Sequence, residues 1–260
     1  TGAAAISLPF QHVVDADTPL GRATLIYELW LHHYILGLEL AESEYAFHTL
    51  GSCCGFNAHC YAAVRGVPLR AGAEDFSLLN KLAKRGQIYR PSGPPVLRQA
   101  RASDRVPFGT GPAVTRLMAS GEPESTPFFY HPECFTALQV VLASFPTWLA
   151  RVNPNISEDL SLKLHKPLAL AATAQLFKLG LPQALKHSQS NSRDAQQSAR
   201  QLHTWFDGFK TLKFLNGLRE LSDNHQSYKQ LPDRGSEPIT TRALIAKRQA
   251  ITAHWGWQLN

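Results

Sequence analysis

The amino-acid sequence predicts a mainly α-helical, multi-helix globular protein interrupted by one extended Pro/Arg-rich arm or long loop. Three observations carry that expectation. The run from Leu25 to Leu40 is apolar on nearly every side, which suits a central helix enclosed by others. Capped stretches of helix-forming residues lie on both sides of the interruption. Within the interruption, Pro91, Pro94, Pro95 and Pro107 remove amide donors and bias the chain toward extended backbone. The expected organisation is an amino-terminal helical part over 1–86, a basic Pro/Gly-rich arm or linker over 87–112, and a carboxyl-terminal helical part over 113–260 that can be continuous with the first.

Thr18 is the expected cap of the first helix, because Pro19 follows at the first helical position, where no amide partner is needed. Gly37 is a place where that helix can bend or divide, and the residues after it, AESEYAFHTL, also read as helical. A short helix is expected through FNAHCYAAV. A third, AEDFSLLNKLAKRG, has acids in its first turn, bases in its last and Gly86 beyond, as the helix dipole and a glycine cap favour. Further helices are expected over 110–120, 132–151, 157–181, 182–221 and 240–255, with Pro146 and Pro167 ending or kinking those that contain them. Ser157 is the expected cap in NPNISEDL, since Glu158 and Asp159 follow where the dipole is positive. Strands are expected to be few.

Charge is distributed unevenly. Residues 1–80 carry three cations and eight anions, and residues 81–105 carry seven cations and one anion. The net +6 of that second, 25-residue stretch equals the formal charge of the whole chain. Its cations are Lys81, Lys84, Arg85, Arg90, Arg98, Arg101 and Arg105. Spaced along an extended segment, they can follow successive phosphates and release condensed counterions, while Tyr89 and Phe108 can stack on exposed bases. A solvated linker paired with the acidic first 80 residues is the structural alternative. A second set of cations includes Lys163, Lys166, Lys178, Lys186, Arg193 and Arg200, the last two seven residues apart and so on one face of a continuous helix.

Charged residues make up 18% of the chain against a usual share of about 25%, so part of the surface is expected to be covered by copies of the protein or by partners. The longest apolar runs fall short of the roughly 20 residues that a membrane helix needs, and no export signal is expected. An intracellular location, or one within an assembled particle such as a virion, follows as an expectation.

Other motifs compete for function. Cys53, Cys54 and Cys60, with His48 and His59, supply enough donors for a metal, but adjacent cysteines diverge on a helix and no Cys-x2-Cys spacing is present. Gly51-Ser52-Cys53-Cys54-Gly55 matches a cysteine form of the nucleophile elbow, a motif that requires a strand before it and a helix after it. Glu28 and His32 are four apart and can pair within the first helix. His131 and Cys134 meet at a helix start without an evident orienting acid. FGTGP lacks the lysine and hydroxyl residue of a phosphate loop, and no cofactor motif is found. Trp255 and Trp257 are expected to fold back into the protein's own core.

The sequence therefore favours a non-enzymatic, self-assembling structural subunit of coat (capsid) or nucleoprotein type. Its expected partners are its own copies and nucleic acid, RNA slightly more than DNA, with no membrane. The alternatives are a thiol- or metal-dependent enzyme using Cys53, Cys54, His59 and Cys60, and a protein-binding component of a larger complex.

Overall fold

A computed structural model describes residues 2–69, 72–101, 109–119, 129–224 and 241–257. The protein is mainly helical. In chain order it contains β1 (Ala5–Ser7), β2 (Phe10–Val13), α1 (Pro19–Leu40), a 3₁₀ turn (Gly51–Cys53), β3 (Cys54–Phe56), α2 (Ala58–Ala63), α3 (Glu74–Ala83), β4 (Ile88–Tyr89), β5 (Val96–Gln99) and α4 (Thr110–Ala119). There follow α5 (Pro132–Leu149), α6 (Ile156–Ser161), α7 (Lys166–Lys178), α8 (Leu181–Ser190), α9 (Ala195–Trp205), α10 (Gly208–Asn224) and α11 (Thr241–His254). Two compact units divide these elements: Thr1–Ile35, Phe47–Phe129 and Gly235–Asn260 form one, and Leu36–Ala46 with Tyr130–Arg234 the other.

In the first unit, the Thr18 hydroxyl accepts from the Gly21 amide at 3.1 Å and starts α1 as its sequence predicts. The helix buries Leu25, Ile26 and Leu29 against Val114 and Leu117 of α4 and Leu244 of α11. The basic stretch is threaded along the amino-terminal residues. β4 pairs parallel to β1, with Ala5 opposite Ile88, and β5 pairs parallel to β2, with Phe10 opposite Val96 and Val13 opposite Gln99. β1 also pairs antiparallel with β3. Between β4 and β5, the Gly93 amide donates to the carbonyl of Gly256 at 3.0 Å. Gly256 ends α11 with φ +68°, the left-handed conformation a glycine adopts without steric penalty. Its turn sends Trp257 back into the core, 6% exposed, as expected from the sequence.

The second unit packs α5 against α7 to α10 around Phe145, Trp148, Phe206 and Phe214, all but inaccessible to solvent. α1 runs unbroken through Gly37, whose role is close packing, because a Cβ there would run into the Phe135 ring. Pro146 is accommodated inside α5. At the end of that helix Asp159 accepts from the buried Trp148 Nε1 at 3.0 Å and from Arg151 Nη1, 2.9 Å from each carboxylate oxygen.

Several local expectations are corrected. Residues 41–50 contain no helix. α1 stops in a Schellman turn, with the Ser43 amide donating to Leu38 O and the Glu42 amide to Glu39 O, both at 2.9 Å. The expected helix over 157–181 is two, because His165 caps α7 and Pro167 lies in its first turn, where it starts a helix rather than ending one. Asn155, not Ser157, caps α6 by accepting from the Glu158 amide. The expected helix over 182–221 is three. Asp194 caps α9, so Arg193 precedes that helix and does not share its face with Arg200.

Candidate nucleic-acid interface and the buried network beside it

The seven cations of the basic stretch have different surroundings. Lys84 and Arg85 follow α3 directly and are exposed, as is Arg101 just beyond β5. Among the described residues, Arg85 and Arg101 make no ion pair. Tyr89 and Leu97, on the strands between them, are 52% and 55% exposed. Lys81 is half-buried and its Nζ lies 3.4 Å from the Val64 carbonyl. The half-buried Arg90 places its guanidinium 5.3 Å from the centre of the Trp255 ring, a cation–π contact. Arg98 is half-buried too, and its Nη1 is inaccessible to solvent. That charge faces inward, opposing the effect of burial on the Tyr27 hydroxyl, the Cys53 thiol and the Asp75 carboxyl. Arg105 and Phe108 lie outside the described residues.

His12, directly opposite Arg98 in the β2·β5 ladder, enters a buried polar network. In a parallel ladder, alternate residues turn both backbone groups toward the same neighbour. The bonds from the Val96 amide to Pro9 O and from the Ala100 amide to Val13 O set this phase, which leaves His12 facing away from β5. Side chains complete that edge. The His12 amide donates to Glu28 Oε2 at 2.6 Å, His12 Nδ1 lies 2.7 Å from the same oxygen, and Arg248 Nη1 donates to the His12 carbonyl at 3.2 Å. Glu28 is wholly buried, with His32 Nε2 and Arg248 Nη1 each 3.8 Å from its other oxygen. Sequence spacing identified the Glu28–His32 proximity, but not the shorter bond to His12 or the approach of Arg248.

His32 Nδ1 is 3.0 Å from His48 Nε2, so one imidazole donates and the other accepts. Burial pushes His32 down to about 4, with Glu28 opposing the shift and His12 and Arg248 adding to it. His48 also falls well below its ordinary range, chiefly through burial and then through His32 and Arg90. Both rings are therefore neutral at neutral pH. Phe10 stands 5.2 and 5.1 Å from them, and Trp255 5.2 and 5.3 Å, ring centre to ring centre. The arrangement ties the amino-terminal strand, α1 and the end of α11 together by hydrogen bonds and aromatic packing.

The cysteine cluster is dispersed. Cys53 is buried while His59 is exposed, and among the described residues no three His, Cys, Asp or Glu side chains are grouped to hold a metal ion. The elbow's structural order is reversed, with the 3₁₀ turn preceding β3. Burial raises both adjacent thiols, and with the smaller contributions of Asp75 and Cys53 it brings Cys54 to about 11, which disfavours the reactive thiolate at neutral pH. At the start of α5, His131 is a cap that accepts from the Glu133 amide, and Cys134 is buried.

No protein-family model matches the chain, and no curated protein or solved structure is detectably similar to it. Among the described residues no helix is long and apolar enough to cross a membrane.

Proposed function

We propose that this protein is a non-enzymatic structural subunit, of coat or nucleoprotein type, that assembles with its own copies and grips a nucleic-acid backbone. The observation that carries this reading is the placement of the exposed Lys84, Arg85 and Arg101 at the two ends of a strand-paired stretch whose Tyr89 is also exposed. Cations that flank a fixed, paired stretch have less conformational freedom to lose when they meet phosphate than cations on a free arm, and an exposed tyrosine offers a stacking surface to unpaired bases. Stacking of that kind favours single-stranded RNA over duplex DNA. Arg105 belongs to the same basic set by sequence. Lys81, Arg90 and Arg98 support the surface from within, through the Val64 carbonyl, Trp255 and the buried side of β5. An assembled particle is the corresponding location.

Binding of a fluorescent single-stranded RNA at several salt concentrations tests the reading. The Arg85→Ala/Arg101→Ala double variant is expected to bind more weakly and to lower the slope of log K against log salt by about 0.7 for each phosphate that is no longer neutralised. Tyr89→Ala is expected to cost about 1–3 kcal/mol of binding without changing that slope. Titrations identical to those of the unaltered protein would remove the nucleic-acid role.

A further inference from the structure

α7 and the end of α1, both in the second unit, present complementary surfaces. The sequence of α7, KPLALAATAQLFK, contains no acid, and Leu170, Ala174 and Phe177 are exposed along one line of it. Leu170 and Phe177 remain 51% and 54% exposed. Residues at i, i+3, i+4 and i+7 surround a hole on a helix surface. Here Leu170 and Phe177 form its ends, while the small Thr173 and Ala174 form its floor. Lys166 and Lys178, both exposed, stand at the two ends of this apolar line. Glu133, near the start of α7, is engaged by His165 at 3.2 Å.

The end of α1 is the converse shape and charge. Leu40 is 72% exposed, Glu42 and Glu44 beside it are exposed, and no lysine or arginine occurs between Arg22 and Arg65. Glu42 also holds φ +56°, a left-handed conformation that is disfavoured for any residue with a Cβ and that glycine would adopt freely. A carboxylate thus occupies a position where local backbone energetics favour glycine.

We propose that Leu40 of one copy seats in the Leu170–Thr173–Ala174–Phe177 hole of the next, with Glu42 and Glu44 meeting Lys166 and Lys178. The contact is proposed as heterologous, with the knob and the hole of one copy meeting different neighbours, so that association continues into a ring or an open chain of subunits; a reciprocal two-fold pairing of the same patches would stop at a dimer. It rests on the self-assembly part of the reading above and names the surfaces that perform it. A single knob buries little area, so each contact is weak and salt-sensitive, and assembly gains strength by repetition.

Sedimentation of nucleic-acid-free protein over a concentration series tests the contact, using the unaltered chain, Leu40→Asp, Ala174→Arg and an equal mixture of the two variants. The unaltered protein is expected to grow beyond a dimer with concentration. Each variant alone stays at 28.8 kDa, its self-association weakened at least about tenfold. The mixture recovers one good contact and forms a species of twice that mass and no larger. Circular dichroism checks folding, and Lys178→Glu replaces Ala174→Arg if that variant unfolds. Four results would each overturn the contact: an unaltered protein that stays single, Leu40→Asp or the hole variant assembling normally, a mixture that stays monomeric, or association insensitive to salt. RNA titration of the same samples separates the two ideas. A single, RNA-binding protein sinks the contact alone, whereas an assembling protein indifferent to RNA sinks the nucleic-acid reading alone.

Discussion

Glu28 and Asp159 are two carboxylates with similar tasks and opposite settings. Each closes a structural end, Glu28 the free edge of β2 and Asp159 the end of α5, and each has an arginine beside it. Glu28 is wholly buried, and its shortest bonds go to the amide and ring of His12. Asp159 is 17% exposed and shares its arginine, half-exposed Arg151, with solvent. The difference shows that the presence of an ion pair says little about its worth. What matters is which groups are stranded when it is removed.

Breaking the buried member is expected to have the largest effect. Glu28→Ala leaves the His12 amide without its acceptor and Arg248 beside an uncompensated, largely buried site, and is expected to cost about 3–5 kcal/mol in urea unfolding. A loss below about 1 kcal/mol would place Glu28 on a par with a surface carboxylate and erase the contrast.

Acid probes the same region without mutation. The unfolded chain binds a proton on His32 near the ordinary value of 6.5, but the folded chain does so only near 4. The unfolded state therefore takes up more protons in that window. Stability is full above about 6.5 and falls as the pH drops toward 4, by up to about 1.4 kcal/mol per pH unit from His32 alone. His48 acts in the same direction. Unfolding midpoints from pH 7 to pH 5 should show this loss, and His32→Gln should flatten it.

The partly exposed member is expected to respond more mildly. Asp159→Ala strands the buried Trp148 Nε1 and costs about 1–3 kcal/mol, while Arg151→Ala, which removes only the half-exposed partner, costs about 0.2–1 kcal/mol. Equal effects from the two substitutions would show that the indole bond contributes nothing beyond the ion pair. Glu42→Gly relieves the left-handed backbone after α1 and is expected to stabilise the protein by about 1 kcal/mol. If the contact between copies holds, the same substitution weakens assembly as it raises the unfolding midpoint.

How much of this was legible in the sequence depended on how local the cause was. Thr18–Pro19 announced α1, and the acids of α3 announced that helix, because cap and dipole act within one turn. The end of α1 was hidden because Glu42 occupies the position where a glycine would have signalled a stop. Charge counting found the basic stretch. Which of its cations face water depends on pairing with residues more than eighty positions away, and no periodicity in a two- to four-residue strand reveals such a partner. The same holds for the network: Glu28 and His32 share a helical turn, whereas Arg248 reaches His12 from 236 residues along the chain.

Pairing between residues so far apart also sets an order of events during synthesis. Ala5 leaves the ribosome about 83 residues ahead of Ile88, its parallel partner, a wait of about 4–17 s at about 5–20 residues per second. Through that interval β1 can pair with β3 and pack on α3, both made before Ile88, but its parallel neighbour β4 is still missing. Phe10, fully buried in the finished protein, is made 86 residues before Val96 and stays without its β5 neighbour until the basic stretch has been made.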